Sequence, residues 1–214
     1  MELSTIDEAV RRIRRGEMVL VVDDEDRENE GDLTMAASWV TGEAVNFMLR
    51  WARGLVCMPC DGRRLDELGI EPMLPDGRAT CDTAFCVSID HASGGSGIGV
   101  QDRATTIRKV LDAGTGGGDF VRPGHVFPLR ARPGGVLERR GHTEAAVDLA
   151  RLAGLPPVAV ICEVLQDDGS PARLPFLELF AAEHRVAMIA VDQIAEHRRE
   201  LAPAAERTKA PLLL

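Results

Sequence analysis

The first apolar pattern in the chain is helical. Ile6, Ala9, Val10 and Ile13 fall on one face, Thr5 and Glu8 form a capping box ahead of them, and Gly16 stops the run. Residues 18–22 are apolar without a break and predict a buried strand; the acidic run 23–32 interrupts, and 33–37 returns as a second strand. Thr41 caps a helix whose buried face is Ala44, Val45, Met48 and Trp51, and after Gly54 an apolar strand runs through Cys57 and Met58. A short helix over 61–69, a polar loop over 75–82 and a strand over 84–89 follow. The stretch Ser93-Gly94-Gly95-Ser96-Gly97-Ile98-Gly99 is too rich in glycine for regular structure.

Residues 102–111 are helical by pattern and end at Gly114. Turns at 115–119 and at Arg122-Pro123-Gly124 flank Phe120 and Val121, and a strand covers 125–131. Residues 139–143 lead into a helix with Ala146, Leu149, Ala150 and Ala153 on one face, closed by Gly154 and Pro156. A strand over 158–165, a hairpin signal at Asp168-Gly169 before 172–174, and helices over 176–184 and 192–201 bracketing a strand at 186–191 complete the pattern. This irregular interleaving predicts an α+β fold, a mixed β-sheet packed with helices. A single domain over 1–201 is expected, with the Ala- and Pro-rich 202–214 as a loosely ordered C-terminal tail.

Composition narrows the function classes. With 214 residues the chain has enough surface to bury a core without disulfides or a structural metal. A net charge of -9, no Tyr and 4% aromatics argue against nucleic acid as a partner, because phosphate-backbone binding needs clustered Lys and Arg and single strands need stacking platforms. The opening residues carry no continuous apolar stretch, so neither a signal peptide nor a membrane partner is expected, and the expected location is cytoplasmic. Five cysteines, an odd number, suit reduced thiols. Cys57-Met58-Pro59-Cys60 with Cys81 and Cys86 also admits a zinc or redox reading, whereas the apolar runs around Cys57 and Cys86 suit buried thiols.

Two segments carry the candidate chemistry. Asp23-Asp24-Glu25-Asp26-Arg27-Glu28-Asn29-Glu30-Gly31-Asp32 places seven carboxylates in ten residues between two strands. It reads either as a solvated charged loop or as an oxygen-rich seat for a hard divalent ion. Arg139-Arg140-Gly141-His142-Thr143-Glu144 ends where a helix begins, so it reads as a phosphate cradle built from free N–H groups and arginines, or as an ordinary Thr143 cap with surface arginines. His142 with Glu28 suits Mg²⁺ or Mn²⁺. His125 is either a proton carrier at a strand start or a hydrogen-bonded structural residue, and Glu163, inside an apolar strand, is either functional or faces water.

In chain order, the run 23–32, Asp102-Arg103-Ala104-Thr105-Thr106-Ile107, the stretch 122–129 and Gly141-His142-Thr143-Glu144-Ala145-Ala146-Val147-Asp148-Leu149-Ala150 resemble the signature segments of the 3,4-dihydroxy-2-butanone 4-phosphate synthase family of riboflavin biosynthesis. The resemblance spans residues 5–200. It implies a lyase that converts D-ribulose 5-phosphate, a small sugar phosphate, to L-3,4-dihydroxy-2-butanone 4-phosphate and formate, with Mg²⁺ (or Mn²⁺) as cofactor and a homodimer whose sites lie near the subunit interface. It implies Glu28 and His142 as metal ligands. Substrate contacts would come from Arg27, Glu28, Asp32, Arg139, Arg140, Gly141, His142, Thr143 and Glu163, with Thr106 a further phosphate candidate. His125 and Glu163 would be catalytic, with Asp32 and Glu30 as additional proton acceptors. A phosphosugar sensor on the same fold would be expected to lack Glu28, His125 or Glu163, and all three are present. The glycine-rich loop at 95–99 and Pro175-Phe176-Leu177 depart from the family pattern. Relatives often carry a fused GTP cyclohydrolase II domain; this chain is expected to be monofunctional.

Overall fold

The unbroken apolar runs become the strands of one sheet, in a computed structural model that describes residues 3–74 and 82–201. In chain order the strands are β1 (Val19–Val22), β2 (Gly31–Ala36), β3 (Cys57–Asp61), β4 (Ile89–His91), β5 (Phe120–Ala131), β6 (Ala159–Glu163) and β7 (Ala187–Ala190). They lie side by side as β4-β5-β3-β6-β2-β1-β7. β1 runs parallel to β7 and β3 parallel to β5, while the β1/β2, β2/β6, β3/β6 and β4/β5 pairs are antiparallel, so the sheet is mixed and the fold is the expected α+β class.

Among the described residues seven helices cover it: α1 (Ile6–Arg14), α2 (Gly42–Phe47), α3 (Gly62–Glu67), α4 (Val100–Leu111), α5 (His142–Leu152), α6 (Leu174–His184) and α7 (Val191–Leu201). Val19 and Val21 of β1 pack with Ile13, Leu149 and Ile194 from α1, α5 and α7 on one face. Leu20 and Val22 pack with Val45, Ile107 and Phe180 from α2, α4 and α6 on the other. Burial on both faces is why β1 reads as a continuous apolar run instead of an alternating one. Thr5 and Thr41 cap α1 and α2 as expected, their hydroxyls accepting from the N–H groups of Glu8 and Ala44.

Several boundaries move. The strand expected over 84–89 is instead β4, while Phe85 and Cys86 make only isolated bridges. The expected turn at 122–124 lies inside one long strand, β5, with a cis Arg122–Pro123 bond. Residues 172–174 form no strand, because α6 already starts at Leu174 and only Pro171 bridges back to Leu165. The strand after Gly54 starts at Cys57, and α2 continues as a π-helical turn over Met48–Ala52. Cys57 and Cys60 sit three positions apart on β3, an odd offset that sends them to opposite faces, so the pair cannot chelate one zinc. All four cysteines among the described residues are buried thiols. Cys81, the loop at 75–81 and the expected tail at 202–214 lie outside the described residues. Among the described residues no helix is long and apolar enough to cross a membrane.

Candidate active site

Where β1 ends, the acidic run folds around its own first member. The Asp23 side chain, only 1% exposed, accepts from Arg27 Nη1 at 2.6 Å, from the Glu28 N–H at 3.2 Å and from the Glu30 N–H at 2.8 Å. Asn29 takes a left-handed φ of 55°, and Arg173 donates to the carbonyls of Glu28 and Asn29. These contacts tie the loop down, so the reading as a freely solvated charge run does not hold. The like charges are offset in part by the chain's own cations, Arg27, Arg173 and His142.

Beyond the loop, β2 carries Asp32 directly opposite Glu163 of β6. Paired residues in an antiparallel ladder share a face, so this register sends both carboxyl groups to the same side of the sheet. Asp32 is buried with Oδ1 unpartnered, while Glu163 is half-buried and accepts from the Leu55 N–H at 2.8 Å. Close approach there depends on Gly54, where a Cβ would fall 2.4 Å from the Glu163 carbonyl oxygen.

α5 supplies the third wall. Its N-cap is Gly141, not Thr143, which places His142 and Thr143 in the first turn with their N–H groups among the helix's free donors. His142 is buried, its Nδ1 lies 3.4 Å from Glu28 Oε2, and its Nε2 has no hydrogen-bond partner. That separation is an ion contact longer than a good hydrogen bond. Arg139 is gripped through its two terminal nitrogens by Glu144 and by Thr83, the latter at 2.9 Å. A Cβ on Gly141 would meet Arg139 Nη1 at 2.2 Å and Arg27 Nη2 at 3.0 Å, so two guanidinium groups converge over the glycine at the helix start.

These walls enclose a cavity of about 340 Å³ lined by Arg27, Glu28, Glu30, Asp32, Arg139, His142, Thr143 and Glu163, together with Cys57, Thr83, Phe85, Leu129 and Ile161. Its groups are strongly perturbed. Contact with His142 holds Glu28 down at about 2 against the opposing effect of burial, with Arg27 adding to the pull. Burial opposes charge on His142, but Asp32, Glu28 and Asp23 outweigh it and lift the ring to about 9. Burial pushes Asp32 up to about 7, reinforced by Glu163 and Glu28 and opposed by His142. Burial also raises Glu30.

One donor set suits a hard divalent cation. Ligand atoms of Asp23, Glu28 and His142 lie within 4.8 Å of one another, and the buried Nε2 of His142 has no other partner. Asp23 is already engaged by Arg27 and the loop N–H groups, which leaves Glu28 and His142 as the better pair. The sequence points to the same two residues and marks Asp23 only as a member of the acidic run.

Three expected residues lie elsewhere. Arg140 pairs with Asp192 of α7 and does not line the cavity. Thr106 is buried on α4, where its hydroxyl accepts from the His91 N–H at 2.9 Å. His125, 43% exposed at its side chain, is on β5 paired with Asp90 and is not part of the lining. Thr83 and Asp90 carry no signal in sequence, and Glu144 stands in the 139–144 segment without a role of its own, since each matters only through the side chain it holds.

A mixed sheet whose strand ends, acidic loop and helix start converge on a small charged cavity, beside a donor set that suits a divalent cation, is the architecture of an α+β enzyme class. The sequence model of the 3,4-dihydroxy-2-butanone 4-phosphate synthase family matches residues 7–197, and the chain belongs to that family. It is 53% identical over 200 residues to the riboflavin biosynthesis protein RibBA of Aquifex aeolicus, covering 92% of this chain but 49% of that protein, so the chain spans about half the length of that relative. It is 50% identical over 198 residues to the 3,4-dihydroxy-2-butanone 4-phosphate synthase of Agrobacterium fabrum, covering 92% of this chain and 93% of that one. A solved 3,4-dihydroxy-2-butanone 4-phosphate synthase in complex with two magnesium ions superposes with a TM-score of 0.88 at 37% identity, covering 93% of this chain and 98% of that one.

Proposed function

We propose that the chain is a lyase that converts D-ribulose 5-phosphate to L-3,4-dihydroxy-2-butanone 4-phosphate and formate for riboflavin biosynthesis, with Mg²⁺ or Mn²⁺ held by Glu28 and His142. The observation that carries this reading is the joining of three features in one cavity: the Glu28/His142 pair, the in-register Asp32/Glu163 carboxyls, and the Arg27 and Arg139 groups at the start of α5. A bound divalent cation would supply Lewis-acid stabilisation of the negative charge that develops on the substrate's ketone and hydroxyl oxygens.

The side chains divide the remaining work. Arg27, Arg139 and the free N–H groups of α5 anchor the phosphate, so the five-carbon chain keeps one fixed end while its other end rearranges. Asp32, poised near 7, accepts and returns protons near neutrality, and Glu163, fixed by the Leu55 N–H, faces the same space from the neighbouring strand. Glu30 stands on the loop side of the cavity as a further acceptor. Arg140 acts by holding the cradle to α7 through Asp192. His125 assists loss of the C1 hydroxyl as water, and its position outside its own chain's cavity suits a homodimer in which it serves the partner's site. Water lost at C1 is regained when C4 leaves as formate, so the five carbons divide four and one with no net water.

Purified protein incubated with ribulose 5-phosphate and Mg²⁺ should release one formate per substrate consumed. Glu28→Gln, His142→Ala and His125→Ala should each lower kcat by about 100-fold or more. Substrate binding without formate, or consumption to another product, contradicts the assignment.

A further inference from the structure

We propose that Asp90 is the positioning residue of His125, fixing the imidazole so that Nε2 alone exchanges protons. The proposal rests on the reading above in which His125 acts in catalysis.

Asp90 Oδ2 lies 2.6 Å from His125 Nδ1, and Oδ1 accepts from the backbone N–H of the same histidine at 2.9 Å. An ionised carboxylate only accepts, so Nδ1 carries the hydrogen and Nε2 is left as the working atom. Asp90 is 15% exposed and His125 43%, which buries the anchoring side of the pair and leaves the ring accessible.

Three backbone segments are shaped around the pair. Ile89 pairs with Val126 and Asp90 with Val121, so residues 122–125 form an insertion on β5 opposite two adjacent residues of β4. That bulge takes the His125 N–H out of the ladder and gives it to Asp90. Gly124 fits the bulge against β4, where a Cβ would fall 2.1 Å from the Ile89 carbonyl carbon, and its N–H donates to Ser88. From the other side comes the glycine-rich loop. Gly97, at a φ of +83°, lies so close that a Cβ would stand 2.0 Å from Asp90 Oδ2 and 2.7 Å from His125 Nδ1. Asp102 holds this loop in place by accepting from the N–H groups of Gly95 at 3.1 Å and Gly97 at 3.2 Å. The glycine-rich loop is thus the wall of the Asp90/His125 pair.

Asp90→Asn is the informative change. Both carboxylate oxygens are used, and the backbone N–H of His125 cannot reverse its role, so an asparagine must turn its NH₂ towards Nδ1 and force the ring into the Nε2–H tautomer. Two readouts follow. In two-bond ¹H–¹⁵N spectra the neutral His125 ring should be Nδ1–H in the wild type and Nε2–H in Asp90→Asn. Formate assays should show kcat falling about 100-fold or more, with KM for ribulose 5-phosphate changed by less than about threefold, and Asp90→Glu should recover part of kcat. A wild-type ring already in the Nε2–H form, or full kcat in Asp90→Asn when His125→Ala is inactive, overturns the proposal while leaving the catalytic reading of His125 intact. Full activity of His125→Ala overturns that reading and the proposal with it.

Discussion

Replacing Gly141 with Ala adds one methyl group at the point where the anion cradle closes. The backbone tolerates it, since φ of -116° and ψ of 162° are open to any residue. Space does not: the new carbon would meet Arg139 Nη1 at 2.2 Å and Arg27 Nη2 at 3.0 Å. Arg139 has no cheap retreat, because one arm of its fork is paired with the buried Glu144 and the other with Thr83. A hydrogen bond to a charged group is worth about 1.5–3 kcal/mol, so displacing one or both guanidinium groups should cost about 2–4 kcal/mol of phosphate binding. That corresponds to a rise in KM of roughly 30- to 1,000-fold. As an N-cap change, Gly to Ala should cost the fold no more than about 1 kcal/mol. Initial rates of formate release against ribulose 5-phosphate, together with competitive inhibition by inorganic phosphate and a melting curve, separate these effects. If KM and the phosphate inhibition constant both stay within twofold of wild type, the cradle is misplaced.

The carboxylates give two further predictions. Asp32→Asn should abolish most turnover, about 100-fold or more in kcat, yet stabilise the protein above neutral pH. The Asp32 carboxyl is raised from 3.8 to about 7 in the fold, so folding loses stability as pH climbs through that window, and the neutral amide removes the loss. Urea unfolding should show a gain that is larger at pH 8 than at pH 5, by on the order of 1 kcal/mol or more, because pH 5 lies only part-way into that window; an equal effect at both pH values would count against a charged Asp32. Gly54→Ala should destabilise by about 2 kcal/mol or more, because the clash includes the backbone O and N of Glu163 and not only its side-chain carboxylate. A melting curve unchanged from wild type would refute that.

Local signals in the chain were enough for the elements and too few for their assembly. The apolar run of β1, the caps Thr5 and Thr41 and the glycine-rich loop at 93–99 follow from neighbours a few positions apart, and they were legible. The boundaries that moved depend on pairing. β5 runs through its Pro-Gly turn signal because its two halves both pair with β4, and Gly141 caps α5 in place of the better cap former Thr143 because His142 is drawn towards Glu28. The candidate ligands, cradle and carboxylates were visible as residue types, whereas the Asp32/Glu163 register, the grip of Glu144 and Thr83 on Arg139 and the contact of Asp90 with His125 are set by tertiary register. No spacing rule along the chain encodes them.

The proposed chemistry depends on a divalent ion seated between the loop after β1 and the first turn of α5. Crystals soaked in Mn²⁺ and measured for anomalous scattering test it most directly. The predicted result is a peak within about 2.0–2.4 Å of both a Glu28 carboxylate oxygen and a His142 ring nitrogen, lost in Glu28→Gln. Manganese bound only at other sites, with Glu28 and His142 still in contact with each other, would contradict it.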